Sequence, residues 1–133
     1  MQRPTARIAG AFLCAMSLSS AVAALDCGNP QTQTDMNTCA SLELDRETKK
    51  INLTYNQFRS TLNPTQKQKI KEVQLAWIKF KDLACQFEAS SLEGGSADAM
   101  VLNGCLAEKT RQRHQELRAL KDCEEGDLSC PAW

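Results

Sequence analysis

Apolar residues recur along most of this chain at steps of three, four and seven, and nowhere in the strict alternation of a strand. Ala40, Leu44, Ile51, Tyr55, Phe58 and Leu62 mark one stripe of a long first helix. Thr34 is its expected N-cap, with Asp35 set against the positive end of the helix dipole. Asn63-Pro64 ends this helix and begins the next, because asparagine caps well and proline is at home where an N–H would lack a partner anyway. The second helix has the most regular period of all, Ile70, Val73, Trp77, Phe80, Ala84 and Phe87, a spacing that places Trp77 and Phe80 in a core. Gly94-Gly95-Ser96 interrupts it, with glycine suited to the end of one helix and Ser96 to capping the next. A third helix follows from about Ala97 to Lys121, with Leu102, Leu106, Leu117 and Leu120 on its stripe. Three helices with short connections predict an all-α fold, a small antiparallel three-helix bundle.

The first 24 residues have a different logic. Arg3 and Arg7 form a positive start, Ile8 to Leu18 an apolar stretch, and Ser19 to Ala24 a run of mostly small residues suited to cleavage after Ala23 or Ala24. The apolar stretch is too short to span a bilayer. Neither Cys14 nor Cys27 follows the small residues that a lipidated cysteine requires. The expected organisation is a signal peptide over 1–24, a helical domain over 25–122 and a tail over 123–133, in a protein that is periplasmic or secreted and has no membrane span once cleaved.

Cysteine usage agrees with export. Of seven cysteines, Cys14 leaves with the signal peptide, and Cys27, Cys39, Cys85, Cys105, Cys123 and Cys130 remain. No two have the CxxC spacing of a redox or zinc site, so an even set in an oxidising compartment reads as three disulfides. A bundle this small has a marginal core, and each bridge is expected to add about 2–4 kcal/mol. Six cysteines allow fifteen pairings, and the sequence does not choose among them. A hairpin turning near residue 63 brings Cys39 level with Cys85, and a second near residue 94 brings Cys105 to the same end. The expected set is therefore Cys39–Cys85, Cys27–Cys105 and Cys123–Cys130, the last closing a small loop.

Charge narrows the function. With 16 basic and 16 acidic residues over 133, the chain lacks the positive excess of a nucleic-acid binder. His114 is the only histidine, which removes multi-histidine metal sites and makes a histidine triad untenable; its polar neighbours predict a solvated surface position. Glu124, Glu125 and Asp127 lack the spacing of a calcium loop and are expected only to keep the tail soluble. No nucleophile has a base partner, so no catalytic residue, metal or cofactor is expected. The charges are nonetheless segregated. Residues 46–81 hold nine bases against two acids, and residues 82–108 hold five acids and no base. Acids around the Gly94-Gly95-Ser96 turn would steer a cationic partner there, so Glu93, Gly94, Gly95, Ser96 and Asp98 are the candidate partner-binding residues.

Asp26-Cys27, Met36-Asn37-Thr38-Cys39-Ala40, Glu43-Leu44, Asn52 to Tyr55, Trp77-Ile78-Lys79-Phe80-Lys81-Asp82, Cys85, Phe87-Glu88, Gly94-Gly95-Ser96, Cys105-Leu106 and Thr110 with Arg113 and Glu116-Leu117 form an ordered set. Together these segments resemble the lysozyme inhibitor LprI family. They extend over about Asp26 to Leu117; the Cys123–Cys130 loop falls outside the pattern. The resemblance implies an exported helical protein that binds lysozyme, or another cationic protein, and so protects peptidoglycan. The competing expectation is a non-inhibitory periplasmic module, structural or toxin-neutralising.

Overall fold

The structure, a computed structural model, describes residues 25–124 and 126–131; the expected signal peptide and its Cys14 lie outside these, as does Glu125. Helix α1 spans Gln33–Thr61 and is capped by Thr32, not by Thr34 as the sequence suggested. Thr32 Oγ1 accepts the Asp35 N–H at 3.0 Å while the Asp35 carboxylate accepts the Thr32 N–H at 3.1 Å, a reciprocal box that satisfies two orphan donors. Helix α2, Pro64–Ala89, opens as expected on Asn63 with proline inside the first turn, and Gln66 closes a second such box. A single 3-10 turn, Ser90–Leu92, leads into the glycine loop, and helix α3 covers Asp98–Lys121. Ser96 does not cap α3; Ala97 holds the cap position and offers no side-chain hydrogen bond.

The apolar core is small. Ile51 and Phe58 from α1, with Leu62 at its C-cap, enclose Leu117 from α3, and Tyr55, Ile70, Trp77 and Leu120 pack around them. Helices α1 and α3 run parallel and form the principal packed pair, while α2 is held mainly to α3 and scarcely meets α1. Leu62 and Asn63 are both extended, with ψ of 152° and 167°, so the chain leaves α1 before α2 begins.

This arrangement corrects the expected cysteine pairing. The bridges are Cys27–Cys39, Cys85–Cys105 and Cys123–Cys130, with Cα–Cα distances of 5.5, 5.6 and 5.8 Å. Only the last was expected. Cys39 and Cys85 are not joined because α1 packs on α3 instead of α2, and the arm before α1 folds back locally to bring Cys27 onto Cys39. Cys85–Cys105 then ties α2 to α3.

The regular stripe of α2 is divided by the same packing. Ile70 and Trp77 reach the core cluster, with Lys81 Nζ 5.5 Å from the Trp77 ring. Phe80, expected in the core, is 62% exposed, and Val73 and Phe87 are exposed with it. The side of α2 that they occupy is largely open: α3 reaches only its edge, where Lys109 Nζ lies 6.0 Å from the Phe80 ring, and the tail residues Ser129 and Pro131 share a depression with Val73.

Polar groups enter the interior in their place. Glu47, Thr54, Gln74, Thr110 and Arg113 are buried. Arg113 Nη1 donates to Glu116 at 2.7 Å and Nε to Gln74 at 3.4 Å, linking α3 to α2. His114 is half-buried, its Nε2 3.0 Å from Thr54 Oγ1 on α1, and so is not the solvated histidine expected. Glu47 takes a hydrogen bond from Lys50 Nζ at 2.7 Å, which holds its carboxyl below the usual carboxylate range. The charges of Lys50, Arg111 and His114 act in the same direction, and burial opposes them. Because the folded-state value is depressed, the stabilisation from Glu47 is complete above its ordinary value of 4.5 and is lost as pH falls through the lower folded value. Urea midpoints measured down an acid series should therefore fall less steeply for Glu47→Gln than for the natural protein.

Candidate functional site

The turn between α2 and α3 is built by its backbone. Gly94 has φ of +74°, a conformation that side chains resist, and its N–H is accepted by the Asp98 carboxylate at 3.1 Å. Gly95 donates to the Leu92 carbonyl at 2.8 Å, and a Cβ at Gly95 would lie 3.0 Å from that oxygen, so a side chain there would crowd the close turn. From the other side Asn37 Nδ2 donates to the Ser96 carbonyl at 2.9 Å, which fastens the loop to the first turns of α1. Cys85–Cys105 braces its base. The candidate residues Glu93, Gly94, Gly95, Ser96 and Asp98 thus lie together on one exposed turn, placed by contacts from all three helices.

Their roles within that turn differ. Asp98 is half-buried and engaged with the loop's own N–H, so it organises the turn more than it presents charge. Glu88 is paired with Lys109 at 3.0 Å, and Asp35 serves in the cap of α1. Glu93 is exposed, with no ion pair among the described residues. The acidic rim is therefore narrower than the linear charge pattern implied. A shallow depression of about 320 Å³ lies beneath it, lined by Gln86, Ala89, Ser90, Glu93, Asp98 and Leu102. It can receive a protruding side chain, with Ser90 and Gln86 offering hydrogen bonds and Glu93 offering charge.

Sequence reasoning missed the buried polar set, although its phase was visible. Leu44, Glu47, Ile51, Thr54 and Phe58 follow one another at helical steps, as do Leu106, Thr110, Arg113 and Leu117. In the tail Cys123, Asp127 and Cys130 converge within 4.8 Å. The two sulfurs are bonded to each other, so neither is a thiolate able to ligate a metal. Among the described residues no helix is long and apolar enough to cross a membrane.

Comparison with known proteins completes the picture. The family described as lysozyme inhibitor LprI matches residues 26–117. An uncharacterized protein of Rhizobium meliloti (strain 1021) is 31% identical, over 75% of this chain and 81% of its own. No solved structure matches.

Proposed function

The chain belongs to the lysozyme inhibitor LprI family, and from that premise we propose that it is an exported, non-catalytic binding protein that occludes lysozyme and thereby protects peptidoglycan in the bacterial envelope. The observation that supports this most is the α2–α3 turn, where Glu93 stands exposed and unpaired on a braced loop above a depression. Lysozymes are generally cationic, so a projecting polar turn rimmed by negative charge suits their surface. The disulfides and family membership accord with export, and the periplasm or the medium is the proposed location.

A turbidity assay tests this directly. The purified protein should slow the clearing of a bacterial cell suspension by lysozyme, and prior reduction of its disulfides should abolish the effect. Glu93→Lys should slow association with lysozyme and flatten its salt dependence, because exposed charges act chiefly on the encounter rate and are screened beyond about 8 Å at physiological salt. Reversing Lys49 and Arg59, exposed bases of α1, should change it much less. Undiminished clearing at saturating protein would refute the reading.

A further inference from the structure

Five apolar residues on one side of α2 lie open: Val73, Ala76, Phe80, Leu83 and Phe87. Their steps of three and four make Val73, Phe80 and Phe87 one heptad position and Ala76 and Leu83 the other, with Ser90 continuing the second. Phe80 is 62% exposed, Leu83 56% and Phe87 79%, whereas Gln74, Cys85 and Ala89, on the side facing α3, are buried. A two-position heptad seam on the outside of a folded domain is the surface that another helix covers.

We propose that this seam is the contact of a homodimer, in which α2 of one copy packs antiparallel on α2 of a second. Two independent patterns favour a second copy over a different protein. The first is size. When the seams are laid antiparallel about a two-fold axis between Phe80 and Leu83, Ala76 falls opposite Phe87 of the second copy, Phe80 opposite its Leu83, and Val73 opposite its Ser90. Large residues meet smaller ones in every layer, as interdigitating helices need. The second is charge. The start of α2 carries Lys67, Lys69 and Lys71, and its far end leads to Glu88 and Glu93. The antiparallel arrangement sets Lys69 at the level of Glu93 of the second copy, at both ends by symmetry, whereas a parallel one would stack like on like.

The area is consistent with a reversible dimer. Aromatic side chains present roughly 150–250 Å² each, so the two phenylalanines at their observed exposure contribute about 280 Å² per copy. With Val73, Ala76 and Leu83 the seam buries roughly 1,000–1,200 Å² in total, at the lower edge of specific interfaces. Such an area suits reversible self-association, with the affinity set by how well the phenylalanines are packed. This inference does not rest on lysozyme binding; because Glu93 serves in both contacts, Phe80→Asp and Lys69→Glu, which leave Glu93 in place, separate the two.

Sedimentation equilibrium from about 1 μM to about 500 μM should show a monomer passing to a dimer, with salt weakening it. Phe80→Asp should raise the dimer Kd at least about tenfold, as for a central anchor, with unchanged far-ultraviolet helicity because the side chain is exposed in the monomer. Lys69→Glu and Glu93→Lys should each weaken the dimer, and an equimolar mixture of the two variants should restore association as a heterodimer. A monomer at every concentration, or a dimer indifferent to Phe80→Asp, would overturn the proposal. So would a monomer that binds anionic phospholipid vesicles through Phe80, which would assign the seam to a lipid surface.

Discussion

Phe58→Ala should lower the stability of this protein by about 3–5 kcal/mol, read from the urea midpoint at constant m-value. Phe58 is 1% exposed and lies among Ile51, Leu62 and Leu117, the other members of the buried cluster. Truncation removes the largest side chain of that cluster and leaves a void that the closely packed α1–α3 pair is poorly able to close. For a domain whose whole stability is of the order of 5–15 kcal/mol, that is a major fraction. Phe80→Ala is the paired control: although its position in the sequence pattern looks equally apolar, its exposure of 62% predicts a change within about 0.5 kcal/mol. Equal losses in the two variants would show that Phe80 is packed in the interior and not exposed on α2.

Replacing Cys85 and Cys105 together by serine should cost about 3 kcal/mol, the value for closing a loop of this length. The bridge spans 20 residues and joins α2 to α3, and α2 has little else to hold it, since it scarcely meets α1. The loss should be uneven in space. Amide exchange should quicken along the second half of α2 and in the Glu93–Asp98 turn, while the α1–α3 pair around Leu117 keeps its protection. Removing Cys123–Cys130, which spans 7 residues in the tail, should cost less. If the two double variants are equally stable, α2 is secured by packing and the bridge is incidental.

The candidate turn shows how far linear charge can be trusted. Glu93 and Asp98 are near neighbours in sequence and look equivalent there, yet one faces solvent while the other receives the Gly94 N–H. Nothing in the sequence separates them, because which carboxylate turns inward depends on the left-handed Gly94 and on the path imposed by Cys85–Cys105. The buried Glu47 and Arg113 teach the converse. Both sit in phase with apolar neighbours, and the period alone marked them for the interior; their charge argued for the surface. Lys50 for Glu47, and Gln74 with Glu116 for Arg113, supply the partners that make burial tolerable.

What the sequence determined by itself is local. Helical periods, the Asn63-Pro64 junction and the glycine turn define three helices, because capping and the 3.6-residue repeat act within a few residues of chain. An even cysteine set after residue 24 implied three bridges, and the segments from Asp26 to Leu117 carried the family. Tertiary structure decided which apolar faces meet. A stripe shows that a helix has a side to cover, but not which neighbour covers it; here α1 and α3 spend their apolar faces largely on each other, so α2 is left with Val73, Phe80 and Phe87 in the open. The cysteine pairing followed from that choice. Disulfides join residues that packing brings within about 6 Å, and packing is the sum of many weak contacts distant in sequence.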